Sequence, residues 1–184
     1  MKIIYKGKSK KGNNILFRYP QKEDALVMQK YINTISKERT YIMTQGEQLT
    51  LKDEESSLDS TLKSIRNLNG IMILAFSDNS LVGISGISTN PKYKAEAHVG
   101  AFGISISKDF RGEGIGTLLM VKVMEEAEKK LAKLKIVVLE VFSNNILAIS
   151  LYKKMRFKKY GILPKGILHK EKYVDAVWMY KNIK

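Results

Sequence analysis

The segment Arg111-Gly112-Glu113-Gly114-Ile115-Gly116 constrains the fold of this chain more than any other. It follows an apolar run that is typical of a strand, and it precedes a segment whose apolar residues recur at helical spacing. Glycine at every second position lets the backbone N–H groups of a strand-to-helix turn approach a bound anion, and the start of the helix adds a partial positive charge. The segment therefore predicts an anion site on a strand–turn–helix unit.

Spacing excludes the two common nucleotide loops at this turn. A Walker A loop needs Lys and then Ser or Thr after its last glycine, whereas Thr117-Leu118 follows Gly116. The dinucleotide pattern Gly-x-Gly-x-x-Gly also fails, because its third glycine position holds Thr117 in one register and Leu119 in the other. The anion must therefore be held in another way.

Length and composition favour one domain over residues 1–184, with residues 1–13 as an N-terminal hairpin extension. No apolar run approaches the roughly 18 residues of a membrane span, and the N-terminus lacks the apolar region of a secretory signal. We therefore expect a cytoplasmic protein with no membrane partner. The chain has no cysteine and two histidines, so disulfides and a cysteine nucleophile are excluded and no metal site is expected.

The net charge of +14 raises the question of a nucleic-acid partner. Its lysine clusters, at 6–11, 129–135 and 153–159, lack the interleaved aromatic residues of a single-strand binding groove. Solvated helix faces are the preferred interpretation, so nucleic acid is not an expected partner. A basic nucleic-acid-binding module remains an alternative function.

Residue periodicity predicts an alternation of strands and helices in which the second half of the chain forms a βαβ unit. We expect a mixed α/β (α+β) fold, a largely antiparallel sheet of about seven strands with one parallel pair and helices on both faces. Predicted strands are 2–5, 15–19, 71–76, 81–88, 95–107, 136–142, 157–163 and 173–180. Predicted helices are 23–36, one that begins after Thr50 with Asp53 at the capping-box position, 114–133, and a short one that Asn144 or Asn145 caps and that ends at Met155.

Two motifs in this order resemble those of the GNAT superfamily of acyl-CoA-dependent N-acetyltransferases. They are Arg111-x-x-Gly114-x-Gly116 and, about thirty residues later, Asn145-x-x-Ala148-x-x-x-Tyr152-x-x-x-x-Phe157. The resemblance implies acetyl-CoA as co-substrate and a primary amine as acceptor. It also implies that the two parallel strands splay apart to admit the cofactor, with Ile104 and Val141 at the two lips.

The resemblance further implies roles for individual residues. Backbone amides of the glycine turn would hold the coenzyme A pyrophosphate, the strand end would pair with the pantetheine arm, and Tyr152 would be the general acid that protonates the departing thiolate. The implied cofactor-binding residues are Ile104, Ser105, Ile106, Arg111, Gly112, Glu113, Gly114, Ile115, Gly116, Thr117, Asn145 and Tyr152.

Arg156 departs from the family pattern, which has glycine before the aromatic residue that here is Phe157. Glycine at such a position ends a helix in a left-handed conformation. Arginine would adopt that conformation at a cost of about 1 kcal/mol, or the helix would end differently.

The acceptor amine must lose a proton before it attacks, so a general base or a water relay is needed. Glu96 is the candidate base, with His98 beside it, because both would share one face of the predicted strand 95–107 and that face leads toward Ile104. Glu47, Glu54 and Glu55 remain alternatives. Tyr152 has a competing role as a core residue.

A free amino acid or similar small amine is the preferred acceptor. We expect the amine to attack the thioester directly, because the chain has no cysteine that could carry an acyl group. A protein N-terminus, as in ribosomal-protein acetyltransferases, is the alternative acceptor. A coenzyme A-sensing module without catalysis is a further alternative. A homodimer paired through a C-terminal edge strand, common in the family, is also compatible with the sequence.

Overall fold

The chain folds around one eight-stranded sheet in the order β1-β2-β3-β4-β5-β6-β8-β7, as the computed structural model of residues 2–183 describes it. The strands are β1 Ile3–Lys8, β2 Asn14–Arg18, β3 Gly70–Ser77, β4 Ser80–Thr89, β5 Val99–Ile106, β6 Ile136–Phe142, β7 Lys158–His169 and β8 Lys172–Asn182. The helices are α1 Ala25–Lys37, α2 Leu51–Arg66, α3 Ile115–Lys130 and α4 Ile146–Lys154. The predicted mixed, mostly antiparallel fold is confirmed: the sheet that was expected to have about seven strands has eight, one at each of the eight predicted strand segments.

Local chemistry sets the helix starts that the sequence predicted. Thr50 and Asp53 form a reciprocal capping box at the start of α2, in which each side chain bonds the backbone N–H of the other. Asn145 caps α4 by accepting a hydrogen bond from the N–H of Ala148 at 3.2 Å. Both caps use residues three positions apart, which is why sequence alone could find them.

Strand β5 is shorter than predicted, because it begins at Val99 and not at residue 95. The preceding segment bonds to itself: the N–H of Glu96 bonds the carbonyl of Tyr93, and the N–H of Val99 bonds the carbonyl of Glu96. These local turns remove the N–H groups that a longer strand would donate to a neighbour. Residues 94–98 are therefore a turn.

The only parallel pair among the described strands joins β5 to β6, and it covers three residues of each: Val99–Ala101 pairs with Ile136–Val138. Beyond this point β5 stays bonded to β4, and β6 stays bonded to β8. The two strands therefore separate after Ala101 and Val138, as predicted for a splayed pair. The gap leaves one edge of Phe102–Ile106 without a neighbouring strand.

Helices cover both faces of the sheet. The larger core lies between α3, α4 and one face, with Phe17, Ile73 and Met120 fully buried there. The smaller core lies between α1, α2 and the other face, around Ile35 and Leu58. Within residues 2–183, no helix combines the length and the apolar character that crossing a membrane requires.

Candidate active site

The glycine turn directs open backbone amides toward the gap between the strands. Gly112 and Gly114 adopt φ of +77° and +82°, the left-handed region that favours glycine. Gly114 is the N-cap of α3 and supplies no side chain, so no side-chain cap closes the first turn of the helix. The start of α3 can therefore receive an anion on its own N–H groups.

The free edge of β5 presents backbone groups to the same gap. In an antiparallel pair successive residues alternate between bonding the partner strand and facing away from it. Just after β5, the N–H of Ser107 bonds the carbonyl of Val82 in β4, whereas the carbonyl of His98, just before β5, accepts from Lys135 and Ile136 on the β6 side. The backbone N–H and C=O groups of even-numbered residues in β5 therefore point toward β6. Where β6 has separated from β5, this leaves the N–H and C=O of Ile104 and the N–H of Ile106 directed into the gap.

A cleft of about 800 Å³ joins the glycine turn, the edge of β5 and the start of α4. Nine residues predicted to bind cofactor line it: Ile104, Ser105, Ile106, Arg111, Gly112, Gly114, Gly116, Thr117 and Asn145. Residues to which the sequence gave no cofactor role also line it, among them Lys10, Lys154 and the segment 40–42. Three predicted residues, Glu113, Ile115 and Tyr152, are outside this lining.

Arg111 ties the glycine turn to its surroundings through its side chain. Its Nε donates to the carbonyl of Ile106 at 2.9 Å, and its guanidinium pairs with Glu38 at 2.7 Å. The arginine thus fixes the turn to the end of β5 and to the end of α1. Because Nε and one terminal nitrogen of the guanidinium already have partners, the side chain helps to position the cleft.

Glu113 turns its carboxylate away from the cleft and is 3% exposed. The carboxylate accepts hydrogen bonds from Ser9 at 2.6 Å and Asn13 at 2.9 Å, and it pairs with Lys11 at 3.5 Å. The Ser9 hydroxyl above all, with Asn13 and Lys11, holds the pKa of Glu113 below its usual value. Ile115 is likewise buried, in the core under α3.

Tyr152 packs in the core beside the cleft and is 7% exposed. Its ring meets Phe102 edge-on at 6.2 Å and lies 6.0 Å from Phe157. Burial raises the pKa of Tyr152 to about 12, so the hydroxyl is protonated at neutral pH. Among hydrogen bonds between described residues none involves this hydroxyl, which leaves it free to donate.

Helix α4 ends with Arg156 in the left-handed conformation, which is the first of the two endings expected for this residue. Arg156 adopts φ of +68°, the left-handed conformation that glycine supplies in the family. The N–H of Phe157 then bonds the carbonyl of Tyr152 at 2.9 Å. The arginine therefore preserves the helix end that places Tyr152 and Phe157 together.

Glu96 lies away from both the cleft and the strand on which it was predicted. It is exposed in the turn before β5, as is His98, and neither residue lines a cavity near the splayed strands. The premise that they share a strand face leading to Ile104 is wrong, because β5 starts only at Val99. Glu54 is buried, and its pKa is raised by that burial, but it too lines neither cavity.

A second cavity, of about 420 Å³, lies between α2 and the sheet. It meets the cleft at Ile42, Ile104 and Ser105, which line both. The strands contribute small residues to its wall, namely Gly86, Ser88, Ala101 and Gly103. Sequence reasoning missed this cavity, although small residues at alternate positions of β4 and β5 were a visible signal.

The hydroxyl of Tyr31 reaches the junction of the two cavities from α1. It lies 2.9 Å from Oγ of Ser105, and the pair fixes the side chain of Ser105 where cleft and cavity meet. Burial raises the pKa of Tyr31, so its hydroxyl also stays protonated. All the side chains that line the second cavity are uncharged.

Residues 37–157 match the profile of the acetyltransferase (GNAT) family. The chain therefore belongs to the GNAT family of acetyltransferases.

Particular relatives agree with this membership. L-amino acid N-acetyltransferase AaaT of Escherichia coli K12 is 31% identical over 107 residues, which are 58% of this chain and 65% of that protein. The chain thus spans just under two thirds of that relative's length. A GNAT-family acetyltransferase from Streptococcus pneumoniae is 29% identical, with a TM-score of 0.84 over 92% of this chain and 99% of its own. An acetyltransferase from Salmonella typhimurium, solved with acetyl-CoA, shares the fold at 13% identity, with a TM-score of 0.80 over 92% of this chain and 94% of its own.

Proposed function

We propose that this chain transfers the acetyl group of acetyl-CoA to the primary amine of a free amino acid or a similar small amine. The observation that carries the proposal is the meeting of two cavities at Ile104 and Ser105. One is a cleft with open amides for an anionic cofactor, and the other is an uncharged cavity between α2 and the sheet. A thioester and an amine brought together at that junction would react largely because they are positioned.

The described residues supply the kinds of group that the cofactor needs. The amides at the start of α3 suit the pyrophosphate, and the free edge of β5 suits an extended pantetheine arm that pairs with Ile104 as an added strand would. Asn145 lines the cleft while its Oδ1 caps α4, so its side-chain NH2 group remains available to the cofactor.

Direct attack follows from these parts. The amine nitrogen bonds the carbonyl carbon as the carbon–sulfur bond breaks, and the N–H of Ile104 can stabilise charge on the carbonyl oxygen. Tyr152, which is protonated and has no hydrogen-bond partner among the described residues, donates its proton to the departing thiolate.

Water is the proposed acceptor of the proton that the amine must lose. Among the described residues, neither cavity is lined by Asp, Glu or His. The value of kcat/KM should then rise about tenfold per pH unit below the pKa of the acceptor amine. A plateau well below that pKa would show a protein base.

The uncharged walls of the second cavity favour an acceptor with an uncharged side chain. A second ammonium, as in a polyamine, would be buried there without a carboxylate partner, which is costly. The name of the Escherichia coli relative and the net charge of +14, which repels polyamines, support the same acceptor class.

The test is release of free thiol from acetyl-CoA across a panel of amino acids, peptides and polyamines. We expect turnover with free amino acids that carry uncharged side chains. Pairing each amino acid with a tripeptide that begins with the same residue separates a free amino acid from a protein N-terminus. Tight cofactor binding with no turnover across the panel would favour a coenzyme A sensor, and salt-dependent binding of nucleic acid alone would favour the nucleic-acid module.

Tyr152→Phe tests the acid. We expect kcat to fall by about 100-fold or more with little change in coenzyme A affinity, because only proton donation is lost. Tyr160→Phe is the matched control, since Tyr160 is exposed on β7 and lines neither cavity. Equal rates for the two variants would remove the role of Tyr152.

A further inference from the structure

The turn of the β1–β2 hairpin, residues 9–13, is fastened to the glycine turn. The N–H of Lys10 donates to the carbonyl of Glu113 at 3.0 Å, and Ser9 and Asn13 donate to the Glu113 carboxylate. The hairpin lies outside residues 37–157, the part of the chain that matches the family. An element outside the matched region therefore forms part of the cofactor cleft.

This attachment lays the side chain of Lys10 over Gly114. Its Cε, Cγ and Cδ lie 3.2, 3.4 and 3.5 Å from the position that a Cβ on Gly114 would occupy. Lys10 lines the cleft, and its Nζ is one bond beyond the Cε that lies against the helix N-cap. The lysine is held there by backbone and neighbouring side chains, and Gly114 leaves the space that it fills.

The electrostatics of this position call for an anion. The N-terminus of α3 already carries a partial positive charge, so a lysine beside it is repelled unless a negative group lies between them. Glu113, the nearby carboxylate, is directed to Ser9, Asn13 and Lys11. Lys10 itself forms no ion pair with a described residue.

We propose that Lys10 Nζ donates a charge-assisted hydrogen bond to the pyrophosphate of coenzyme A, opposite the amides of the glycine turn. This inference rests on the proposed function, because it assumes that coenzyme A occupies the cleft. It gives the N-terminal hairpin a binding role and assigns one member of the lysine cluster 6–11 to a ligand. The other lysines of that cluster lie outside the cleft lining.

Lys8 provides a matched control for Lys10. It is exposed on the same hairpin and carries the same charge, but it does not line the cleft. Lys8→Met therefore reports the change in net charge alone. Lys10→Arg restores a cation at the site, and Lys10→Glu reverses its charge.

The experiment is calorimetric titration of the full chain and its variants with coenzyme A. Lys10→Met should weaken binding about tenfold, the order expected for one charge-assisted hydrogen bond to phosphate, whereas Lys8→Met should leave it unchanged. Lys10→Glu should weaken binding further, and Lys10→Arg should recover most of the wild-type affinity. Melting temperatures of all variants confirm that each is folded when it is titrated.

Three ligands locate the contact. Dephospho-coenzyme A keeps the pyrophosphate and lacks the 3′-phosphate, so Lys10→Met should weaken its binding by the same factor. Pantetheine lacks both phosphate groups, so it should bind wild type and Lys10→Met with equal affinity. If the loss disappears with dephospho-coenzyme A, Lys10 contacts the 3′-phosphate and the assignment is wrong.

Failure of the inference differs from failure of the proposed function. Equal affinities of Lys10→Met and Lys8→Met for coenzyme A, with tight binding by wild type, would refute the role of Lys10 alone. No binding of coenzyme A by the folded wild-type chain would instead refute the proposed function, and the inference would fail with it.

Discussion

Alanine at Gly114 and alanine at Gly116 should change the stability of the chain in opposite directions. Gly114 has φ of +82°, and alanine there costs about 1–2 kcal/mol of backbone strain. Its new Cβ would also lie 3.2 Å from Cε of Lys10, a flexible side chain that can move. Gly116 lies within α3 at an ordinary φ, and a Cβ there would meet its nearest neighbour, Ile106, at 3.4 Å. This substitution should stabilise the chain by about 0.4–1 kcal/mol, mainly by restricting the unfolded state.

Thermal unfolding followed by circular dichroism checks both values. For a chain of this size about 1 kcal/mol corresponds to a shift of about 2–4 °C in Tm, so Gly114→Ala should melt about 2–8 °C below wild type and Gly116→Ala about 1–4 °C above it. Gly112→Ala is the control, because it shares the strained conformation, with φ of +77°, but its Cβ would meet nothing within 4 Å. Equal shifts at Gly112 and Gly114 would assign the cost to the backbone alone. A Gly114→Ala variant that melts at or above the temperature of Gly116→Ala would show that the left-handed conformation of Gly114 carries no cost for alanine.

Three further outcomes follow from the structure. Gly103→Leu should keep the fold, since a Cβ at this position meets nothing within 4 Å. Because Gly103 lines the second cavity, the larger side chain should raise KM for the acceptor about tenfold or more and leave coenzyme A affinity unchanged. An unchanged acceptor KM in steady-state kinetics would show that the amine binds elsewhere. Arg156→Gly should stabilise the chain by about 0.5–1 kcal/mol in urea unfolding, because it relieves a left-handed conformation at φ of +68°. Because the pKa of Glu113 is lowered in the folded chain, its contribution to stability is present above its ordinary pKa of 4.5 and is lost as the pH falls through the lowered value. The stability difference between wild type and Glu113→Gln should accordingly be largest at neutral pH and shrink in acid, and a difference independent of pH would contradict this.

Sequence reasoning succeeded where a feature depends on neighbours along the chain. The glycine turn, the Thr50–Asp53 capping box and the Asn145 cap each use residues within a few positions of one another. The prediction that β5 begins at residue 95 is wrong, because local turns at 94–98 use the N–H groups that a strand would donate to its neighbour.

Features that join distant segments could not be predicted from the sequence. The carboxylate of Glu113 is directed to Ser9 and Asn13, about a hundred residues earlier, and nothing in the local sequence indicates this. The second cavity forms from α2, β3, β4 and β5 together, so it exists only once the helix packs on the sheet. Its small wall residues were visible in the sequence, but their shared face depends on the register of the strands.

The attachment of the hairpin to Glu113 has a consequence for the order of folding. Its contacts span 104 and 100 residues, so they close one of the long loops of the chain. During synthesis the hairpin emerges before the glycine turn, so Ser9 and Asn13 cannot bond Glu113 until that turn has also emerged. The N-terminal lysine turn and the start of α3 thus come together late, and the cofactor cleft is completed only after both halves of the sheet are in place.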